Sequence, residues 1–265
     1  MSYILVTNDD GVDSPALLPL IHELSALGAV RVAVPSKERS WIGKAISRWD
    51  ELEVTKLVRE GIEIFAVDGY PADCTNLAVH SLFGEPPELV VSGVNIGLNV
   101  GLGFFLSSGT IGAAMEGWIA GIAAIALSVG RVGEDRHWKQ DAVANPSHPV
   151  WKRAARVGAD VVRTLRETGF PDDVDLISVN YPSDAELDTP RVLTELAVVG
   201  YDRLFRRARE GVYVHDFDGA LRDVESVPPE SDIAIVRSGR VSITPIRLAH
   251  TAKVSKSLRA RLERV

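Results

Sequence analysis

Apolar runs of five to seven residues alternate along the chain with amphipathic stretches of ten or more, the pattern of a parallel β-sheet flanked by helices. The first unit is the clearest. Residues 3–7 predict a buried strand, and residues 14–27 predict a helix with Ser14 as N-cap, Pro15 at the first helical position and Gly28 as its stop. Residues 30–34 predict the next strand, ended by Pro35. Two β-like runs, 51–58 and 62–67, meet at Glu60-Gly61 and predict a hairpin, and 71–82 predict a helix. Residues 88–92 form a third core strand, 110–120 a helix of small residues, and 122–129 a fourth strand. The fold class is α/β.

Beyond Arg131 the chain turns polar as far as Pro149, with His137, Asn145-Pro146 and His148-Pro149, and is expected to be a surface loop. Residues 150–168 predict a helix closed by Gly169, and 174–180 a strand. From 191 to 240, short β-like runs at 192–199 and 212–217 alternate with charged turns, which suits an extended arm. In the tail, Val254, Leu258, Leu262 and Val265 share one helical face beside basic residues, a surface suited to docking on a subunit. The expected division is a core over 1–190, with a strand near 241–245 able to return to it, and an arm with an oligomerisation tail over 191–265.

Composition narrows the function. With 265 residues, 46% of them hydrophobic and 25% charged, the chain can bury a substantial core. A net charge of −7 argues against a nucleic-acid polymer as partner, because binding by counterion release needs a basic face. A small anionic substrate stays compatible, since a bound metal inverts the local field. The longest apolar run, about 111–129, is interrupted by Glu116 and glycines and falls short of a membrane span. No charged-then-apolar leader precedes Tyr3, and the single cysteine, Cys74, makes no internal disulfide, so a cytoplasmic location and no membrane partner are expected.

In an open parallel sheet, ligands sit beyond the carboxyl ends of the strands. Three such ends are polar together: Asn8, Asp9, Asp10 and Gly11; then Ser36, Lys37, Glu38, Arg39 and Ser40; then Ser92, Gly93, Val94 and Asn95. Carboxylates, a hydroxyl and an amide oxygen are hard donors, suited to Mg²⁺, Mn²⁺ or Ca²⁺ rather than Zn²⁺. A divalent ion also relieves the repulsion between adjacent acids; an Asp-Asp pair standing alone also reads as a turn and a helix-terminal charge, a reading that the coincidence of three polar strand ends disfavours. Ser107-Ser108-Gly109-Thr110 leads into a helix of small side chains, a start that binds phosphate or simply packs closely. The glycines from 97 to 103 lack the dinucleotide spacing and are expected to form a mobile loop over the site. Asp73 reads as a helix cap or a ligand, and Cys74 as core. The six histidines show no metal-ligand spacing, and 203–209 (RLFRRAR) reads as a solvated or subunit-contacting basic patch.

Six blocks in order, ILVTNDDGVDSP at 4–15, ERS at 38–40, DGYPADC at 68–74, VVSGVNIGLNVG at 90–101, SSGTIGAAMEG at 107–117 and VSITP at 241–245, resemble the SurE survival-protein family over nearly the whole chain. The resemblance implies a Rossmann-like three-layer α/β/α core with a mostly parallel sheet, a C-terminal β arm and a tail used in homodimer or homotetramer assembly. It implies one divalent metal ion per subunit, Mg or Mn, held at the positions of Asp9, Asp10, Ser40 and Asn95, the strand ends already singled out. It further implies hydrolysis of nucleoside 5′- and 3′-monophosphates, a 5′-nucleotidase or phosphoric monoester hydrolase activity, with polyphosphate as another substrate. Asp9, Asp10, Asn95 and Ser108 are then the expected catalytic residues, and Asn8, Asn99, Ser108, Gly109 and Thr110 the expected substrate-binding residues.

Two stretches depart from the family pattern: Trp41-Ile42-Gly43-Lys44, and Leu102 to Ser107 with Phe104 and Phe105. Both fall where loops would wall the pocket. The competing readings are a relative that binds nucleotide without hydrolysing it, a hydrolase of another phosphoester, and a receiver-like Mg²⁺-binding signalling module. Against the last, the third strand ends in Ser-Gly-Val-Asn, with no Asp to accept a phosphoryl group.

Overall fold

A computed structural model describes residues 2–131, 135–217 and 226–263. The strands are β1 (Ile4–Thr7), β2 (Val30–Pro35), β3 (Val54–Arg59), β4 (Ile62–Val67), β5 (Leu89–Ile96), β6 (Ala123–Gly130), β7 (Leu176–Pro182), β8 (Arg191–Leu193), β9 (Phe205–Arg209), β10 (Val212–His215) and β11 (Val241–Ile246). The helices are α1 (Leu17–Ser25), α2 (Pro71–Leu77, continued by a π-helical turn over Ala78–Leu82), α3 (Gly101–Ser107), α4 (Gly109–Ile119), α5 (Asp135–Val143), α6 (Pro149–Thr168), α7 (Asp232–Arg237) and α8 (Lys256–Leu262).

Among the described residues, nine strands form one sheet in the order β3-β4-β2-β1-β5-β6-β7-β11-β8. The central strands, from β4 to β7, are parallel, while β3 and β11 run antiparallel to β4 and β7. Strand alternation builds two cores. Ile4, Val6, Val32, Val34 and Val91 point to the face covered by α1 and α6, whereas Tyr3, Leu5, Ala33 and Val90 meet Cys74, Ala78, Ile111 and Ala114 on the other. The β3–β4 turn has positive φ at both Glu60 (50°) and Gly61 (79°), as a two-residue hairpin turn matching the strand twist requires. From β1 the chain crosses to β2 on one side, and β5 later lies on the other, so a crevice opens between the carboxyl ends of β1 and β5.

Several expectations change. The helix expected over 14–27 begins at Leu17, and Ser14 does not cap it: Ser14 sits in the preceding turn, its carbonyl accepting from Leu17 N–H at 3.1 Å. The strand expected at 88–92 runs on to Ile96, carrying Asn95 within it past a register shift between Ser92 and Asn95. The strand expected at 174–180 is displaced to Leu176–Pro182. The polar loop expected at 131–149 contains α5, where Trp138 and Ala142, one turn apart, pack on the core.

The glycine-rich stretch expected to be a mobile loop holds the start of α3. Gly101 N–H donates to Asp232 Oδ2 at 2.7 Å, and a Cβ at Gly101, where φ is +75°, would lie 2.7 Å from Val199. The segment from 191 onward divides. Strands β8 and β11 join the main sheet, and α7 packs Ile233 and Val236 against Val100 and Ala197. The hairpin β9–β10 forms a separate two-stranded sheet, and α8 buries no residue. Val265 of the expected tail face, and Arg264 beside it, lie outside the described residues.

Candidate active site

At the end of β1 the chain reverses within four residues. The Asn8 side chain closes that turn, donating to the Gly11 carbonyl at 3.0 Å and accepting the Gly11 N–H at 3.1 Å. Gly11 is required there, with φ +84° and space for a Cβ only 2.8 Å from the Lys37 carbonyl carbon. The turn aims the two acids at different elements. Asp9, 3% exposed, accepts the Thr110 hydroxyl on Oδ1 at 2.7 Å, while Asp10 Oδ2 accepts the Ile96 N–H from β5 at 3.0 Å.

The loop after β2 closes on the same point, with Arg39 N–H donating to the Asp9 carbonyl at 2.7 Å. The next residue, Ser40, donates its hydroxyl to Glu38 Oε1 at 2.7 Å. Asn95 turns its amide nitrogen to the Gly97 carbonyl at 2.7 Å, which leaves its Oδ1 on the opposite side. Helix α4 begins against Asp9: a Cβ at Gly109 would sit 2.9 Å from both Asp9 Cβ and the Arg39 carbonyl oxygen. Ser108 caps this helix, its Oγ accepting Ile111 N–H at 3.2 Å, so its own O–H proton stays available to donate.

Asp9, Asp10, Thr110, Gly109 and the Arg39-Ser40 backbone therefore converge, with Asn95 beside Ile96. Two expected contributors are committed elsewhere. The Asn8 amide is spent on Gly11, and Asn99 is buried, its Nδ2 on Ser128 Oγ at 2.9 Å and its backbone N–H on Asn180 Oδ1 at 2.8 Å.

Burial pushes the Asp9 carboxyl above its ordinary value, against the opposing Thr110 hydrogen bond. Burial and then the Asp9 charge push Asp10 up to about 7. Thr7 and Ser92, register partners in β1 and β5, bury hydroxyls that find no partner among the described residues. Two acids held together at this cost, beside an amide and a hydroxyl oxygen, fit a hard divalent cation. Among the described residues no group of three or more His, Cys, Asp or Glu side chains is placed to hold an ion.

A cavity of about 320 Å³ opens beside Asp10, lined by Ser36, Lys37, Glu38, Ile96 and, from α5, Lys139 and Val143. Lys139 escaped sequence reasoning because α5 lies in a stretch whose polarity and prolines read as loop. The weak signal was the Trp138–Ala142 spacing.

The fold and the site define a class: an α/β protein with an acid pair and a helix N-terminus meeting at the switch point of a parallel sheet. The chain belongs to the SurE family, whose profile, described as Survival protein SurE, matches residues 4–202. It is 36% identical to the 5′-nucleotidase SurE of Methanocella arvoryzae over 260 residues, covering 95% of this chain and 94% of that one. It is 36% identical to the 5′-nucleotidase SurE of Geobacter sulfurreducens over 262 residues, covering 96% and 91%. The crystal structure of the SurE protein from Aquifex aeolicus superposes with a TM-score of 0.75 at 29% identity, over 98% of this chain and all of that one.

Proposed function

We propose that this chain is a metal-dependent 5′-nucleotidase, cleaving nucleoside monophosphates with water to nucleoside and inorganic phosphate. One observation carries the reading: the acid pair abuts the N-terminus of α4, through Thr110 and Gly109. An anion-receiving helix end beside two carboxylates makes chemical sense where the carboxylates would hold a cation and the helix end would receive a phosphoryl group.

Asp9, Asp10, Ser40 and Asn95 hold the ion, with Mg²⁺ or Mn²⁺ the suited metals. When bound, it supplies Lewis-acid stabilisation of the charge developing on the phosphoryl oxygens. Ser108 donates its free O–H to the phosphoryl group, and the start of α4 at Gly109 and Thr110 receives it. Thr110 also fixes Asp9 in one orientation, as Ile96 fixes Asp10. The reading extends to 3′-monophosphates and short polyphosphate, which present the same terminal phosphoryl group.

Assembly into homo-oligomers belongs to it too. It is supported by a hairpin whose Phe205 and Tyr213 are 56% and 63% exposed, and by a tail helix that buries nothing on its own chain. No helix among the described residues is long and apolar enough to cross a membrane.

The test is phosphate release from a panel of 5′- and 3′-nucleoside monophosphates and polyphosphate, with Mn²⁺, Mg²⁺ or chelator, beside Asp9→Asn. Metal-dependent release that Asp9→Asn abolishes while staying folded is expected. Nucleotide binding without turnover on any phosphoester, in folded metal-loaded protein, refutes the activity.

A further inference from the structure

Phosphoryl transfer is governed by positioning and neutralisation of charge on the phosphoryl oxygens, and one divalent ion on two carboxylates leaves no net positive charge to offer a dianion. The chain should then supply a cation of its own. Around the site the basic side chains are mostly committed. Arg39 donates to Asp68 at 3.1 Å and to the Gly69 carbonyl at 3.3 Å, with its guanidinium over the Tyr70 ring. Lys44 is locked on Glu116, a carboxylate 7% exposed that also accepts from Asn76. Lys37 lines the cavity at Asp10 but reaches out to Asp68 at 3.6 Å and is 62% exposed.

Lys139 differs. It projects from α5 into the same cavity as Asp10, its side chain is 35% exposed, and its ion pair with Glu38 Oε1 is loose at 3.9 Å. Glu38 in turn accepts the Ser40 hydroxyl at 2.7 Å, so the ammonium stands one side chain away from an expected metal ligand. A long, flexible stem and a weak partner leave it free to turn toward an incoming anion.

We propose that Lys139 is a substrate-binding cation: on arrival of the phosphoryl group its ammonium leaves Glu38 and pairs with a phosphoryl oxygen in the cavity beside Asp10. The inference rests on the phosphomonoesterase reading of the site, and it assigns to α5, the segment between β6 and α6, a part in substrate recognition. Helix α5 thereby acts as one wall of the pocket, with Val143 and Ile96 its apolar lining.

The experiment compares wild type, Lys139→Met and Lys139→Arg, each loaded with Mn²⁺. Three quantities are read: calorimetric affinity for Mn²⁺ alone, affinity for inorganic phosphate on the loaded protein, and kcat and KM on a nucleoside monophosphate. Removing one charge-assisted contact predicts a loss of phosphate affinity and a rise in KM of about 10- to 100-fold in Lys139→Met. Lys139→Arg should recover to within about threefold, since it keeps the charge. Mn²⁺ affinity should stay level or tighten in Lys139→Met, because a repelling charge is gone. That separates substrate binding from damage to the metal site. Unchanged phosphate affinity in Lys139→Met, or no phosphate binding by the loaded wild type, overturns the inference. Lysine-dependent phosphate binding in a wild type that turns over no phosphoester leaves this inference standing and refutes the nucleotidase activity instead.

Discussion

The Thr110 hydroxyl reaches across 101 residues of sequence to donate a 2.7 Å hydrogen bond to Asp9 Oδ1. Both residues are buried, so the bond joins the turn after β1 to the first turn of α4 in a medium where misalignment is costly. Replacing Thr110 with Val keeps the bulk and deletes the donor. Stability should fall by about 1–3 kcal/mol, the cost of an unmet buried acceptor, and kcat should fall more than KM rises, because Asp9 loses its orientation. Thermal unfolding and steady-state phosphate release report the two effects separately.

Asp10 makes stability depend on pH in the metal-free chain. Its folded-state carboxyl is pushed to about 7 from an ordinary 3.8, so the folded state holds a proton that the unfolded chain releases. The stability that Asp10 contributes is therefore fully present near and below pH 4, is lost as pH rises toward 7, and is gone above it. Asp10→Asn should flatten this decline. An ion that competes with the proton should raise the melting temperature more at pH 7.5 than at pH 5. Melting curves with chelator and with Mn²⁺ at both pH values test the pair of statements.

Gly112 fixes how closely the loop carrying Ser40 lies on α4. A Cβ there would come within 2.3 Å of the Gly43 carbonyl oxygen, a backbone atom that has to move aside. Gly112→Ala should cost about 1–3 kcal/mol and weaken Mn²⁺ binding, as calorimetry would read. Gly121→Ala, in the exposed turn just after the same helix, meets nothing within 4 Å but has φ +80°, so it carries a strain cost without disturbing the metal.

Trp41 packs edge-on or tilted against Phe104, Tyr201, His215 and Phe217, with centroids 5.2–5.6 Å apart. These rings tie the loop after Ser40 to α3 and to the β9–β10 hairpin. Trp41→Ala should free the hairpin from the core, and limited trypsin digestion should then cut faster at Arg206, Arg207 and Arg209.

Cys74 is fully buried, and burial drives its thiol far above the ordinary range. The native protein should not react with a thiol-specific disulfide reagent at pH 8, and full reaction should appear only with denaturant.

Much of the site was legible because strand ends announce themselves locally. A buried apolar run that stops at Asn8-Asp9-Asp10 places polar groups at the sheet's edge whatever else the chain does. Helix α4 was equally plain, since Ser108-Gly109-Thr110 is both a cap and a close-packing start. Ser14 misled because a serine before a proline looks like a cap, yet the turn closed by Asn8 and Gly11 delays the helix to Leu17. The glycines at 97–103 misled because nothing local shows that Asp232, 131 residues on, accepts the Gly101 N–H.

Alternating hydrophobicity is a property of neighbouring residues, and it was enough for the α/β class, the parallel core and the acids that end β1. Which groups meet those acids depends on strand order and crossover, which are long-range. The sheet sets β5 beside β1, and α4 packs on β5 and β6 with its first turn toward the end of β1, so Thr110 finds Asp9 and Ile96 finds Asp10. It also lets α5, whose own residues scarcely look helical, bring Lys139 to the rim of the same cavity.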